Sequence, residues 1–424
     1  MRILFFSHYF PPEVNAPASR TFEHCREWVK AGHEVTVVTC APNHPAGKLY
    51  PGYRNRLFQR ETIDGVEVVR VWTYLAANEG FLPRILNYVS YMASAMLALP
   101  GQKKPDVVVS TSPQLFCGLT GLIAQQAMRA PWVLEIRDIW PESIVAVGAM
   151  RKGAAIRLLE ALERLAYRRA DRIVAVTDSF VDHISARCGV SAKIEVIKNG
   201  VDLTLFDVET SAAAEAAKRA LGLEGKFVAA YVGTHGMAHG LNTILDAARL
   251  TGHDSRIVYL LVGDGAEREG LASRAAELGL GNVRIMGQLP KTDMPTVWAA
   301  TDVSIIHLKR SDTFKKVLPS KMFEAMAMQR PIILGVEGEA KALLEAAGAG
   351  VAITPESADE LAAAVTRMAD DPVLAKEIGA SGAAHVRAHF DRARLAARYV
   401  DVLAAAIHAA DRAGDASAQK ANAP

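Results

Sequence analysis

Short apolar runs alternate with longer stretches of helical spacing along almost the whole chain. "RILFFS" (2–7) precedes a helix-like pattern over 19–31, and "EVTVVT" (34–39) follows. "VEVVRVW" (66–72), "DVVVST" (106–111), "WVLEIRD" (132–138) and "RIVAVT" (172–177) continue the series, with helical patterns near 114–129 and 153–169. Unbroken β-branched runs between helices predict parallel strands covered on both faces. The alternation predicts a doubly wound α/β sheet. The pattern restarts at "IEVIKNGVD" (194–202) and a polar, Ala-rich stretch over 208–225. Then come "KFVAAYVG" (226–233), "RIVYLLVGDG" (256–265), "NVRIMG" (282–287), "DVSIIHL" (302–308), "PIILGV" (331–336) and "GVAIT" (350–354). Two Rossmann-like domains are expected, 1–200 and 201–405, joined in the weakly hydrophobic stretch around 200–225. The last helix is free to pack back on the first domain. The tail 411–424 has no aromatic or large aliphatic residue and is expected to be disordered.

A length of 424 residues suits two domains better than one core. A net charge of +2, with no dense basic patch, argues against a nucleic-acid partner. Cys25, Cys40, Cys117 and Cys188 are widely spaced and form no C-x-x-C pair, so they read as reduced thiols. The opening apolar run stops at Ser7, too soon for a signal peptide, and a cytoplasmic protein is expected. Residues 81–104 are apolar from Ile85 to Leu99, shorter than the ~20 residues of a membrane span. They read either as a buried helix or as one leaning on the inner face of the cytoplasmic membrane, with Arg84, Lys103 and Lys104 near headgroups.

Doubly wound sheets bind ligands beyond the carboxyl ends of their strands, and two facing domains would make an interdomain cleft from those loops. The polar oddities do follow strands. "YVGTHGMAHGL" (231–241) supplies Gly233, Gly236 and Gly240 before a helix, a candidate diphosphate cradle, with His235 and His239 as donors if protonated. "LVGDG" (261–265) has Gly263 and Gly265 but lacks the later glycine and the acidic strand end of a nicotinamide site. These two glycines would let the strand end approach a neighbour or a base. "LPSKMFEAMAMQRPII" (318–333) starts a helix at Pro319 and projects Ser320, Lys321 and Glu324 from its first turn. A carboxylate there can accept from vicinal sugar hydroxyls, and a lysine can meet phosphate. Lys315 and Lys316 add charge just upstream. In the first half, "SHYFPPEVNAPASR" (7–20) offers Glu13 and Asn15 to acceptor hydroxyls and Arg20 to phosphate. "EIRDIWPES" (135–143) offers Arg137, Asp138 and Glu142, with Trp140 as a sugar-stacking face.

The ordered set "GHEVTVVT", "KNGVD", "YVGT…HGL", "LVGDG", "MGQLPKTDMPTVWAATDVSII" and "PSKMFEAMAMQRPII" resembles the retaining glycosyltransferases of family GT4, of GT-B fold, up to about residue 405. "SHYFPPE", "YPGY" and "EIRDIWPES" resemble its WbuB-like branch, which acts in O-antigen and capsule assembly. The resemblance implies a donor nucleotide on the C-terminal domain and an acceptor on the N-terminal one. Glu324 then matches the second Glu of the family's E-x7-E motif, the ribose ligand, while Lys316 stands where the first Glu would be. Thr234 and His239 stand near the family's basic diphosphate pair, and Arg137 replaces the His of a His-Asp pair, leaving Asp138 to contact the sugar or acceptor. It implies transfer with retention from a nucleotide sugar, UDP-linked and of N-acetylated amino- or deoxyamino type, to a lipid-linked saccharide. No Asp-x-Asp motif stands in a convincing metal-binding loop, so no metal or other cofactor is expected. A nucleotide-sugar epimerase and a non-catalytic nucleotide-sugar sensor, suggested by Lys316 and Arg137, are the alternatives.

Overall fold

A computed structural model describes residues 1–77, 81–146, 153–206 and 211–421. The chain divides into two compact units, residues 1–198 with 393–424, and residues 199–392. The first unit holds strands β1 (Arg2–Phe6), β2 (Glu34–Cys40), β3 (Phe58–Ile63), β4 (Val66–Val71), β5 (Val107–Thr111), β6 (Trp132–Ile136), β7 (Arg172–Ala175) and β8 (Ile194–Val196). Their order is β3-β4-β2-β1-β5-β6-β7-β8. Every pair is parallel except β3–β4, which is antiparallel. The second unit holds β9 (Phe227–Val232), β10 (Ile257–Val262), β11 (Val283–Met286), β12 (Val303–His307), β13 (Ile332–Gly335) and β14 (Gly350–Ala352). Its order is β11-β10-β9-β12-β13-β14, all parallel.

Two elements depart from the apolar pattern. β3 was hidden because it is an edge strand with alternating half-exposed and exposed positions, so it has no hydrophobic run. Its signal is the Asp64–Gly65 pair, with φ of +47° and +81°, the left-handed geometry of a tight hairpin turn. β8 extends the first sheet beside β7 rather than opening the second unit. The junction stretch is described from residue 211, where a helix Ser211–Ala220 begins; 207–210 lie outside the described residues.

The final helix, Arg392–Ala421, continues through residues expected to lack structure, in keeping with an Ala-rich sequence of high helix propensity; 422–424 lie outside the described residues. From Ala393 this helix belongs to the first unit. Leu395, Ala396, Tyr399 and Leu403 share a core with Ile3, Phe5, Trp28, Val109 and Val174. Trp28 Nε1 donates to Ala396 O at 3.0 Å, and the Trp28 and Tyr399 rings meet edge to face at 5.2 Å. The four cysteines are free thiols, three of them buried.

Tyr399 is buried, and its hydroxyl has no hydrogen-bond partner among the described residues. Tyr399→Ala is therefore expected to cost about 4 kcal/mol of unfolding free energy through the cavity it leaves. Tyr399→Phe is expected to be neutral or stabilising, because it removes an unsatisfied polar group. Denaturant midpoints of the two variants check both outcomes.

Candidate active site

Numbered within the second unit alone, the strand order is 3-2-1-4-5-6, and it reverses between β9 and β12. The two pair through Ala229–Val303 and Ala230–Ser304, upstream of their carboxyl ends. The loops leaving those ends carry the residues singled out in the sequence. Gly233 begins the first loop at φ +142°. A Cβ on Gly263 would fall 1.8 Å from Gly233 O, and one on Gly265 would fall 2.5 Å from His235 O. These glycines thus let the loop after β10 cross the loop after β9 backbone to backbone. The neighbour they approach is protein, and His235 N bonds Asp264 O at 2.8 Å across the crossing. Gly240, left-handed at φ +57°, separates a turn at Met237–His239 from the helix Asn242–Leu250. Thr234 is exposed, and its carbonyl accepts from Tyr231 Oη at 2.8 Å.

Beneath this crossing lies Lys321, first residue of the helix Lys321–Ala327. Its Nζ sits 3.7 Å from the centroid of the Tyr231 ring and 3.0 Å from where a Gly233 Cβ would be. The Lys321 ammonium is buried with no hydrogen-bond partner among the described residues. Burial pushes its pKa down to about 7, against the opposing pull of Glu324. Around it stand three more unpartnered nitrogens, both of His235 and Nδ1 of His239. Burial, reinforced by the charge of Lys321, lowers His235 to about 4 and His239 to about 3. The histidines are therefore neutral near pH 7 and cannot serve as the cationic phosphate donors the sequence suggested, although each still offers one N–H. His307 fixes the loop from below: Nδ1 donates to His239 O at 2.7 Å, and Nε2 accepts from Glu356 N at 2.8 Å.

Glu324 lies one turn along, but its oxygens do not pair with Lys321. Oε1 accepts from Lys291 Nζ at 2.8 Å and Oε2 from Trp298 Nε1 at 3.3 Å. Lys291 also lies over the Phe206 ring at 5.2 Å. Sequence reasoning missed Lys291 and Trp298, although both sit in the quoted stretch "MGQLPKTDMPTVW". Ser320, preceding the helix, has helical backbone angles and makes no capping bond through its side chain. Lys316 is half-buried at the end of the turn Phe314–Lys316.

The first unit reverses its strand order between β1 and β5, and there most expected acceptor ligands act as internal braces. Arg20 is fully buried: Nε meets Glu135 Oε1 at 2.9 Å, and its terminal nitrogens donate to Ile197 O and Lys198 O at 2.8 Å each. Burial alone would raise the Glu135 pKa, but Arg20, Arg137 and the Thr111 hydroxyl hold it below the usual range. Arg20 is thus structural, not a phosphate ligand. Glu13 is buried as well, accepting from the backbone N–H of Asn43 and His44 at 2.9 and 2.8 Å. Burial lifts its pKa to about 7 against three backbone donors. Trp140 is buried against Phe116 and lines a small internal cavity, so it offers no sugar-stacking face. Glu142 pairs with Arg187 at 3.1 Å. Arg137 donates to the carbonyls of Ala16 and Pro17 at 2.8 and 2.9 Å, tying the loop after β6 to the helix Ala16–Lys30.

Asn15 and Asp138 remain. Asn15 caps that helix through Oδ1, which accepts from Ala18 N at 2.9 Å, and its Nδ2 has no partner among the described residues. Asp138 is half-buried and accepts from Ser143 Oγ at 3.0 Å, with burial raising its pKa. Both flank the β1–β5 reversal.

Comparison with known proteins follows the same division. A family described as glycosyl transferase 4-like domain matches residues 15–200, and one described as glycosyl transferases group 1 matches 213–385. The chain is 26% identical over 377 residues to the putative colanic acid biosynthesis glycosyl transferase WcaI of Escherichia coli, covering 86% of this chain and 91% of that one. It is 30% identical over 310 residues to a 2-deoxystreptamine glucosyltransferase of Streptomyces kanamyceticus, covering 68% and 77%. Among solved structures, Anabaena HepE in complex with UDP-glucose superposes with a TM-score of 0.71 at 18% identity, over 96% of this chain and all of the other.

The lowered pKa of Lys321 sets a pH dependence. Between about 7 and 10.5 the unfolded chain holds a proton on Lys321 that the folded chain does not, so stability rises with pH across that window. Below about 7 the folded state carries the full penalty of a buried cation. Lys321→Met is expected to be more stable than the parent, most clearly below about pH 7, with the gain fading toward 10.5. Denaturation across a pH series measures it; a Met variant less stable at neutral pH would contradict the assignment.

Proposed function

Because the chain belongs to the GT4-like glycosyltransferases of GT-B fold, we propose that it moves a sugar from a UDP-sugar to a hydroxyl of a lipid-linked saccharide, with retention at the anomeric carbon. The observation that carries this reading is the unpartnered ammonium of Lys321 beneath the Gly233 loop. A diphosphate oxygen arriving there gives Lys321 the acceptor it lacks and draws its pKa back up. As the bond to the sugar breaks, negative charge builds on the departing diphosphate, and a cation already in place stabilises that charge without reorganising. Neutral imidazole N–H groups from His235 and His239 add donors. Glu324, its orientation held by Lys291 and Trp298, keeps lone pairs for the vicinal hydroxyls of the ribose.

On this reading the leaving phosphate itself accepts the proton of the attacking hydroxyl on the face it departs from, so no protein nucleophile is needed. Asp138 and Asn15, at the strand reversal of the first unit, orient the acceptor hydroxyl. UDP as the nucleotide is supported by the HepE complex with UDP-glucose. A role in surface polysaccharide assembly is supported by the likeness to WcaI and to the putative teichuronic acid biosynthesis glycosyltransferase TuaC of Bacillus subtilis. An N-acetylated amino- or deoxyamino-sugar is the donor we favour, from the likeness of "SHYFPPE" and "EIRDIWPES" to the WbuB-like branch.

Incubation with a panel of UDP-sugars, with and without a lipid-linked acceptor, tests the reading. Acceptor-dependent UDP release is expected; an isomerised sugar or binding without turnover would replace transfer by epimerisation or sensing. Lys321→Ala is expected to lower kcat about 100-fold. Glu324→Gln is expected to raise the donor KM about tenfold while changing kcat less.

A further inference from the structure

Large apolar side chains stand in water along one edge of the first unit: Leu57, Phe58, Trp72, Tyr74, Leu82 and Leu86. Three elements bring them together. Phe58 of β3 registers with Val71 of β4, which places Leu57 beside Trp72. Asn55 then clasps Thr73 through both amide atoms, at 2.7 and 3.1 Å. The next segment is strapped to the helix Phe81–Leu97: Thr73 Oγ1 donates to Asn87 O, Asn87 Nδ2 to Tyr74 O, and Tyr74 N to Ser90 Oγ. The buried face of that helix is anchored independently, with Tyr91 Oη donating to Val38 O at 2.8 Å. Leu82 and Leu86 are left projecting outward, Leu82 at 67% exposure. The helix is therefore neither wholly buried nor able to cross a membrane; among the described residues no helix is long and apolar enough to do so.

Charge is sorted along the same edge. Arg54 and Arg56 are exposed immediately before Leu57. Of the hairpin's acidic groups, Asp64 and Glu67 lie toward its turn, where Arg60 is paired with Glu67, and Glu61 is taken by Arg70. Lys103, expected to meet headgroups together with Arg84, instead faces Glu34 at 3.5 Å, at the amino end of β2. Arg84 and Lys103 lie toward opposite ends of a helix about 25 Å long, so they cannot form one cationic rim. Trp72 and Tyr74 follow the carboxyl end of β4, the same edge of the parallel sheet from which the Ser7–Asn15 and Arg137–Ser143 loops emerge.

We infer that this edge rests on an anionic lipid surface, with Trp72, Tyr74, Leu82 and Leu86 entering the headgroup–acyl boundary and Arg54 and Arg56 meeting lipid phosphates. Trp and Tyr settle at that boundary because their rings are apolar and their tips polar. Exposed arginines with no ion pair among the described residues add attraction that salt screens. The purpose of the contact, presenting a lipid-linked acceptor to the strand-end loops of the first unit, rests on the function proposed above; the contact itself does not.

Co-sedimentation of the full chain with phosphatidylcholine vesicles, with and without phosphatidylglycerol, tests it at low and high salt. The parent is expected to sediment with the phosphatidylglycerol vesicles and to be partly released by salt. Arg54→Glu with Arg56→Glu is expected to weaken that binding about tenfold or more. Trp72→Ser with Leu82→Ser and Leu86→Ser is expected to abolish it, while Lys103→Glu with Lys104→Glu leaves it unchanged. Failure of the parent to bind, loss confined to the Lys103/Lys104 variant, or a patch whose substitution changes only self-association on size exclusion would overturn the inference. The arginine variant involves only exposed side chains and keeps the test decisive if the apolar variant misfolds. UDP release with a short water-soluble acceptor, followed in the same preparations, is expected to be unaffected. Its absence from the parent would count against the proposed reaction and not against the membrane contact.

Discussion

A lysine held beneath a backbone crossing, with an aromatic ring as its neighbour and no oxygen among the described residues to receive its hydrogen bonds, is the constraint around which the second unit is organised. A cation over the face of Tyr231 recovers part of its solvation through the ring quadrupole, but a ring is a poor substitute for water. The arrangement survives only because the rest of the unit fixes it. Gly263 and Gly265 allow two loops to touch through their backbones, which closes the roof over Lys321. His307 holds that roof from below by a single defined tautomer. The histidines at the roof are kept neutral near pH 7 by burial and by the charge of Lys321, with Arg268 adding to the effect on His235. A site that leaves a buried donor unsatisfied in the empty protein gains most when an anion arrives.

The first unit follows the opposite logic. Glu13, Glu135 and Arg137 stand at or just beyond strand ends and Arg20 in the first turns of the helix that follows β1, yet each is already engaged by another part of the unit. The Arg20–Glu135 pair joins the first helix to β6, and Arg20 also gathers the carbonyls after β8. Removing one partner from such a pair leaves the other charge uncompensated in the interior, at a cost of about 3–5 kcal/mol. These residues therefore build the frame on which Asn15 and Asp138 are carried. On the function proposed above, an acceptor site made from a few polar groups on a rigid base suits a substrate whose identity lies mainly in its hydroxyls, because each such group must find a partner in it.

The architecture was readable because parallel strands buried on both faces leave continuous Val- and Ile-rich runs. β3 escaped because an edge strand needs no such run, and only its Asp-Gly turn betrayed it. At the site, the helix start at Ser320–Glu324 and the glycines of the second unit were legible, since helix periodicity and backbone demands are local. What sequence spacing could not reveal was pairing across the fold. Lys321 and Glu324, a natural pair at i,i+3, do not meet: the ammonium lies over the Tyr231 ring, and Lys291, thirty-three residues upstream of Glu324, takes the carboxylate. Arg20 and Trp140 read as ligands for the same reason: polarity or aromaticity in the segment that follows a strand is visible in sequence, whereas burial is decided by distant segments such as β8.

Proton uptake on UDP binding tests the central claim most directly. If Lys321 is largely neutral at about pH 8 and becomes an ammonium against diphosphate, calorimetric titrations in buffers of different ionisation enthalpy will report uptake of close to one proton per UDP bound. Lys321→Met will report none. A binding enthalpy for the unaltered protein that does not depend on the buffer would mean that the diphosphate is held elsewhere.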